Sequence, residues 1–192
     1  MDAAIFLDRD GVLTENKPDY VRDWSQVEII QEAIRALSIP AVGNYKIVIV
    51  TNQSAVGRGL ISLEAARGIN SRLVNTIRAQ GGQVDAVYMC PHSPAEGCLC
   101  RKPQPGLLLQ AVKELSLDLQ RSWMIGDAWS DLRAGQSAGV RRLILLRTGR
   151  GAAQSQEVPP DDIADHLIFD NLHQALIAIF AMDQIETLDT GS

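Results

Sequence analysis

Six short apolar runs, with helix-length stretches between most of them, limit what this chain can fold into. The runs are Ala3–Leu7, Lys46–Val50, Val84–Met89, Ser122–Ile125, Arg141–Leu146 and a weaker His166–Phe169. Ile47-Val48-Ile49-Val50 and Leu143-Ile144-Leu145-Leu146 are apolar at every position, so both faces of each strand need cover, as in a parallel sheet. Helical patterns occupy Ile29–Ser38, Ser62–Gln80, Pro105–Leu115, Ser130–Ala138 and Asn171–Phe180. Ser62 is placed to cap its helix, with Glu64 favourable in the first turn, and Gly81-Gly82 to end it. Alternation of this kind predicts an α/β fold, a parallel sheet with helices on both faces.

The 192 residues suit one domain, expected over 1–182, with a tail over 183–192 that has little to pack and is expected to fray. A formal net charge of −5 argues against nucleic acid or an anionic membrane as partner. No stretch nears the ~20 apolar residues that span a bilayer. The start of the chain lacks a basic segment before its apolar run, so no signal peptide is expected. A cytoplasmic monomer acting on a small molecule is the expectation.

The ends of parallel strands meet on one sheet edge, where ligands bind. Asp8 and Asp10 follow the first run, Thr51-Asn52-Gln53-Ser54 the second, and Gly126-Asp127, with Asp131 four residues on, the fourth. A carboxylate such as Asp8 can attack phosphorus, forming an aspartyl phosphate that water then hydrolyses. Asp10 has the acid–base chemistry for the leaving oxygen and then for water. The Thr51 hydroxyl and the N–H groups of Asn52 and Gln53 can cradle phosphoryl oxygens, and Lys102 can neutralise their charge. Asp127 with Asp8 would supply oxygen ligands for Mg²⁺, which keeps several waters. A calcium loop is excluded, because Val12 and Leu13 stand where that pattern needs an oxygen ligand and a glycine.

Asp8-x-Asp10-Gly11, Thr51, Lys102 before Pro103, and Gly126-Asp127-x-x-x-Asp131 resemble, in order, the four motifs of the haloacid dehalogenase superfamily. The resemblance implies a Rossmann-like, three-layer, doubly wound parallel sheet, with Asp8 as nucleophile and Asp10 as the mark of a phosphatase or phosphotransferase. It also implies Mg²⁺ on the side chains of Asp8 and Asp127 and the backbone carbonyl of Asp10, with Asp131 behind them or on the ion's water. Between Val12 and Ile47 there is no room for a large cap domain, so an open site is expected.

Cys90-x-His92 and Cys98-x-Cys100 offer three thiolates and an imidazole among turn-forming Pro91, Pro94 and Gly97. That set suits a closed, tetrahedral, structural Zn²⁺ site, a zinc-binding loop insert that would fix Arg101 and Lys102 beside the phosphate. Cysteines left unligated are the plainer alternative. The loop, running on into Arg101-Lys102-Pro103, resembles that of two related families, the heptose-bisphosphate and histidinol-phosphate phosphatases. Thr51 to Ser54 running on through Gly57-Arg58-Gly59, and Arg147-Thr148-Gly149, resemble the heptose enzymes more; Ala128 departs from members with a Lys there. The implied activity is Mg²⁺-dependent hydrolysis of a phosphorylated sugar, with Arg101 suited to a second anionic group. Asn16, Asp19 and Tyr20, in a loop placed to close over substrate, are candidate sugar contacts, and Arg9, Ser54 and Arg58 complete the expected substrate-binding set. A phosphotransferase or mutase, or a zinc-stabilised binding protein, are the other classes compatible with these residues.

Overall fold

The computed structural model describes residues 1–189. Six strands form one sheet: β1 (Ala4–Leu7), β2 (Lys46–Asn52), β3 (Ala86–Cys90), β4 (Trp123–Gly126), β5 (Arg142–Leu146) and β6 (His166–Phe169). Their order is β3-β2-β1-β4-β5-β6, and every pairing is parallel. The chain starts in the middle, winds outward through β2 and β3, and returns to the other side of β1 for β4. The switch in direction opens a crevice beyond the carboxyl ends of β1 and β4.

Alternation along the strands sorts the core into two layers. Ile5 and Leu7 of β1, Ile47 and Ile49 of β2, and Ile144 and Leu146 of β5 point to one face. There they meet α1 (Gln31–Ala36), α3 (Leu63–Ala79) and α7 (Leu172–Asp189), through Ile34, Leu73, Ile77, Leu176 and Ile179. Ala4, Phe6, Val48, Val50, Leu143 and Leu145 point the other way, against Leu107, Leu108 and Ala111 of α4 (Gly106–Leu115) and Leu132 and Ala134 of α5 (Trp129–Ala138). Each fully buried Leu, Ile or Phe contributes roughly 1.5–3 kcal/mol of transfer free energy. The three-layer, doubly wound architecture is therefore the one the apolar runs require.

Local signals behave as their chemistry dictates. The Ser62 hydroxyl accepts from the Ala65 N–H at 3.0 Å, and the chain leaves α3 through Gly81 at φ +83°. Two short helices, α2 (Ser54–Gly57) and α6 (Gly151–Gln154), are additional to those the sequence announces. β2 runs two residues beyond Val50, because Thr51 and Asn52 pair with Met89 and Cys90 of β3. Of the tail expected to fray, Asp183–Asp189 continue α7 and 190–192 lie outside the described residues. Between β1 and β2 stand only loops, short 3-10 turns and α1, so nothing large covers the crevice. Among the described residues no helix is long and apolar enough to cross a membrane.

Candidate active site

Asp8 continues the line of β1, its N–H donating to the Ile125 carbonyl of β4 at 3.0 Å. The side chain is buried, and its Oδ1 takes the Lys102 ammonium at 2.8 Å and the Arg9 N–H at 2.7 Å. Burial pushes the carboxyl up to about 6; Lys102 opposes this, and the neighbouring charges of Asp131 and Asp10 add to it. Lys102 Nζ touches three oxygens, those of the Val50 carbonyl, Asp8 Oδ1 and Asp131 Oδ1, each at 2.8 Å. The carbonyl takes a hydrogen bond, and the two carboxylates pair with the ammonium as ions. Burial alone would depress this lysine, but Asp131 and Asp8 outweigh it and hold the pKa above the ordinary lysine value. Asn52 fixes the lysine from the other end: its amide donates to the Lys102 carbonyl at 3.0 Å and accepts the Lys102 N–H at 3.1 Å.

Asp127 and Asp131 come from the β4–α5 connection. Asp131 Oδ2 accepts the Ala128 N–H at 3.1 Å, closing the first turn of α5. Gly126 permits this, since a Cβ there would stand 2.3 Å from that of Asp131. Asp127 Oδ2 accepts from the Asn16 amide at 2.5 Å and the Arg150 N–H at 2.8 Å. Gly11, at φ +89°, is the residue this approach requires, because a Cβ would fall 2.1 Å from Asp127 Oδ2. Burial raises the pKa of both carboxyls, with Asp8 adding at Asp127 and Arg150 opposing there; at Asp131 Lys102 opposes and Asp127 adds.

Asp8, Asp127 and Asp131 each present an oxygen within 4.8 Å of the others. Three buried carboxylates face one buried ammonium, and the surplus negative charge favours a hard divalent cation with oxygen ligands. Magnesium fits this donor set. The Asp10 carboxylate lies outside the cluster. It accepts the Arg9 guanidinium at 2.9–3.0 Å, the Thr14 hydroxyl at 3.1 Å and the Gln53 amide at 2.8 Å.

Cys90, His92, Cys98 and Cys100 form a second group. Sγ–Sγ distances are 3.1–3.5 Å, and His92 Nδ1 stands 3.5 Å from Cys90 Sγ and 3.2 Å from Cys100 Sγ. All three cysteines are free thiols. Burial raises Cys90, whereas the hydrogen bonds from Cys100, the Arg101 backbone and Cys90 outweigh burial at Cys98 and hold it at about 7. Four soft ligand atoms converging on one point fit a tetrahedral zinc ion with no open position.

Several expected substrate contacts have protein partners. Arg9 is buried and bridges Asp10 to Asn70 of α3 (2.7 Å), a strut beneath the cleft rather than a group facing it. The side chain of Asn52 clasps the Lys102 backbone, and the Gln53 N–H, expected in the phosphate cradle, instead donates to the Cys90 carbonyl at 2.8 Å, extending the pairing of β2 with β3. Gln53 links Thr51 Oγ1 (2.8 Å) to Asp10, and Asn16 is held on Asp127 instead of standing free for a sugar. Thr51 is buried, and so is Ser54 at the start of α2. Tyr20, at φ +62°, lies 5.8 Å under the Arg58 guanidinium, and Asp19 is exposed. Arg101 reaches the His92 carbonyl at 3.4 Å.

Sequence reasoning missed Arg150, whose guanidinium lies 3.3 Å from Asp127 Oδ1. Thr148, which the sequence marks only as part of Arg147-Thr148-Gly149 and without a role, donates its hydroxyl to the Gly11 carbonyl. Both follow β5, so the strand-end argument applied to Asp8 and Asp127 reaches them too.

Comparison with known proteins bears on this arrangement. A HAD-hydrolase-like family model matches residues 99–174. The D-glycero-beta-D-manno-heptose-1,7-bisphosphate 7-phosphatase of Pseudomonas aeruginosa is 33% identical over 170 residues, 88% of this chain and 93% of its own. That of Pasteurella multocida is 38% identical over 156 residues, 78% of this chain and 84% of its own. The crystal structure of D,D-heptose 1,7-bisphosphate phosphatase from B. bronchiseptica, complexed with magnesium and phosphate, aligns with a TM-score of 0.84 at 29% identity. The alignment covers 95% of this chain and 99% of that one.

Proposed function

The chain belongs to the family of D-glycero-beta-D-manno-heptose-1,7-bisphosphate 7-phosphatases, HAD-fold hydrolases of phosphoric monoesters, and from that membership we propose how its own residues carry the reaction. The substrate is D-glycero-D-manno-heptose 1,7-bisphosphate, from which the 7-phosphate is removed. The observation that carries this reading is the buried cluster of Asp8, Lys102, Asp127 and Asp131 at the carboxyl ends of β1 and β4.

Asp8 attacks the phosphorus while the bond to the C7 oxygen breaks, giving an aspartyl phosphate and a sugar hydroxyl. Asp10 in its acid form gives its proton to the departing oxygen. As the resulting base it takes one from the water that releases phosphate. Lys102 holds Asp8 as an anion and stands beside the transferring group. The Thr51 hydroxyl accepts from Gln53, which leaves its own proton for a phosphoryl oxygen. The same Gln53 amide bonds Asp10, fixing the acid–base group relative to the phosphate cradle.

Asp8, Asp127 and the Asp10 carbonyl would hold a magnesium ion, with Asp131 behind them. When bound, that ion neutralises charge on the phosphoryl oxygens. Zinc in Cys90, His92, Cys98 and Cys100 would be structural, ordering the loop that carries Arg101 toward the substrate's 1-phosphate. Tyr20 and Arg58 offer a wall for the sugar, with Asp19 at its rim.

The test is turnover on heptose 1,7-bisphosphate, histidinol phosphate and an aryl phosphate, with and without Mg²⁺. The heptose ester should give the highest kcat/KM, and only with the metal. Equal turnover of the aryl phosphate would remove the sugar reading. Phosphate release that required a sugar acceptor would make the protein a transferase.

A further inference from the structure

Most carboxylate oxygens in the buried cluster have a close partner. Asp8 Oδ1 has Lys102 and the Arg9 N–H; Asp127 Oδ2 has Asn16 and the Arg150 N–H; Asp131 has Lys102 and the Ala128 N–H. Asp8 Oδ2 and Asp127 Oδ1 remain. Among the described residues the group that reaches both is the Arg150 guanidinium, with Nη2 at 4.0 Å and 3.3 Å respectively. These contacts are long, and the side chain is 55% exposed.

Its backbone is held far more firmly. The Arg150 N–H donates to Asp127, and both flanking glycines are packed without room for a side chain. A Cβ on Gly149 would lie 2.3 Å from Asp127 Oδ2, and one on Gly151 1.8 Å from the Leu146 carbonyl. The residue is fixed at its base and loose at its tip.

We propose that Arg150 is a phosphate-binding residue whose guanidinium competes with the metal for Asp8 Oδ2 and Asp127 Oδ1 and, once displaced, binds the phosphoryl group of the substrate. The inference rests on the reading above, in which Asp8 and Asp127 are metal ligands. Magnesium binds oxygen at about 2.0–2.1 Å, so an ion on these atoms would stand within about 5 Å of a guanidinium nitrogen at 3.3 Å from one of them, and both would draw on the same oxygens. Like charges so close repel strongly in a partly buried site. Because the backbone is pinned, the response is confined to rotation of the side chain, which carries the fork into the open cleft. A planar guanidinium there matches two phosphoryl oxygens at once. Metal and anion binding are thereby coupled: the first frees the group that the second uses.

Calorimetric titration of the zinc-loaded protein tests this with Mg²⁺ alone and then with inorganic phosphate at saturating Mg²⁺. Arg150→Ala keeps the backbone N–H on Asp127 and should bind Mg²⁺ about two- to fivefold tighter, the scale of a half-exposed ion pair. It should bind phosphate more weakly than wild type. Arg150→Lys keeps the charge without the fork, so its metal affinity should stay near wild type while phosphate binding falls. An alanine variant with unchanged or weaker Mg²⁺ affinity overturns the competition. Unchanged phosphate affinity in that variant overturns the anion contact. If wild type itself takes up no Mg²⁺, the metal reading fails and this proposal with it, a result distinct from either of the others.

Discussion

Lys102 shows how much a single side chain can carry here. Its ammonium contacts β2, α5 and the loop that follows β1, each at 2.8 Å. Lys102→Met would leave Asp8 and Asp131 buried without their counter-charge. Loss of one partner of a buried pair costs about 3–5 kcal/mol, so urea unfolding should show a drop of that order together with lost turnover. Arginine should not rescue it, because a planar fork cannot reproduce three converging contacts from one nitrogen. Asp8→Asn makes the opposite point. The site raises the Asp8 pKa to about 6, so it disfavours the charged form that the proposed attack on phosphorus uses. The neutral amide should abolish turnover while leaving the magnesium-free protein at least as stable as wild type at pH 7. A marked fall in its melting temperature would contradict this account of the site.

At the scale of elements, strands and their ends were the legible part of the sequence. Four-residue runs that are apolar at every position and rich in Val, Ile and Leu read as buried strands, and the residues that stop parallel strands then share one edge. Asp8, Asp127 and Asp131 were readable for that reason, and Arg150 was readable in principle by the same logic. The short helices α2 and α6 were not, since four residues carry no helical period. The extra length of β2 was hidden as well, because Thr51 and Asn52 are polar and are kept in the strand by pairing with β3. Side-chain partners such as Arg9 on Asn70, or Asn52 on the Lys102 backbone, depend on contacts 61 and 50 residues apart, which no local pattern records. The cysteine–histidine loop is the element most open to test. Cys100→Ser should lower zinc content, measured by metal analysis, and lower the melting temperature, with activity falling as a consequence. Since Asn52 also holds the Lys102 backbone, Asn52→Ala should reduce activity while zinc content stays at the wild-type level.

For the whole molecule, the buried carboxylates link stability to pH. Asp8 has a raised pKa in the folded state, about 6 against an ordinary 3.8 for a free carboxyl. Between these values the folded chain holds a proton that the unfolded chain has released, so this group favours folding as pH falls through 6 and disfavours it as pH rises. In magnesium-free buffer the wild-type protein, compared with Asp8→Asn, should therefore lose stability from pH 5 to pH 7. Thermal melts of the pair read this difference directly, and Mg²⁺ at pH 7 should recover much of the loss, because a ligand that binds only the folded state adds to its stability. A difference that grows with pH in favour of wild type would reverse the argument.

The three contacts of the Lys102 ammonium also act as an assembly checkpoint. A chain whose β2, first loop and α5 have not yet come together has an ordinary aspartate at position 8, solvated and without its lysine. The pairing of Asp8 with its lysine is thus complete only when the last of the three segments docks. A protein built this way creates the buried, paired environment of Asp8 only as the surrounding fold comes together.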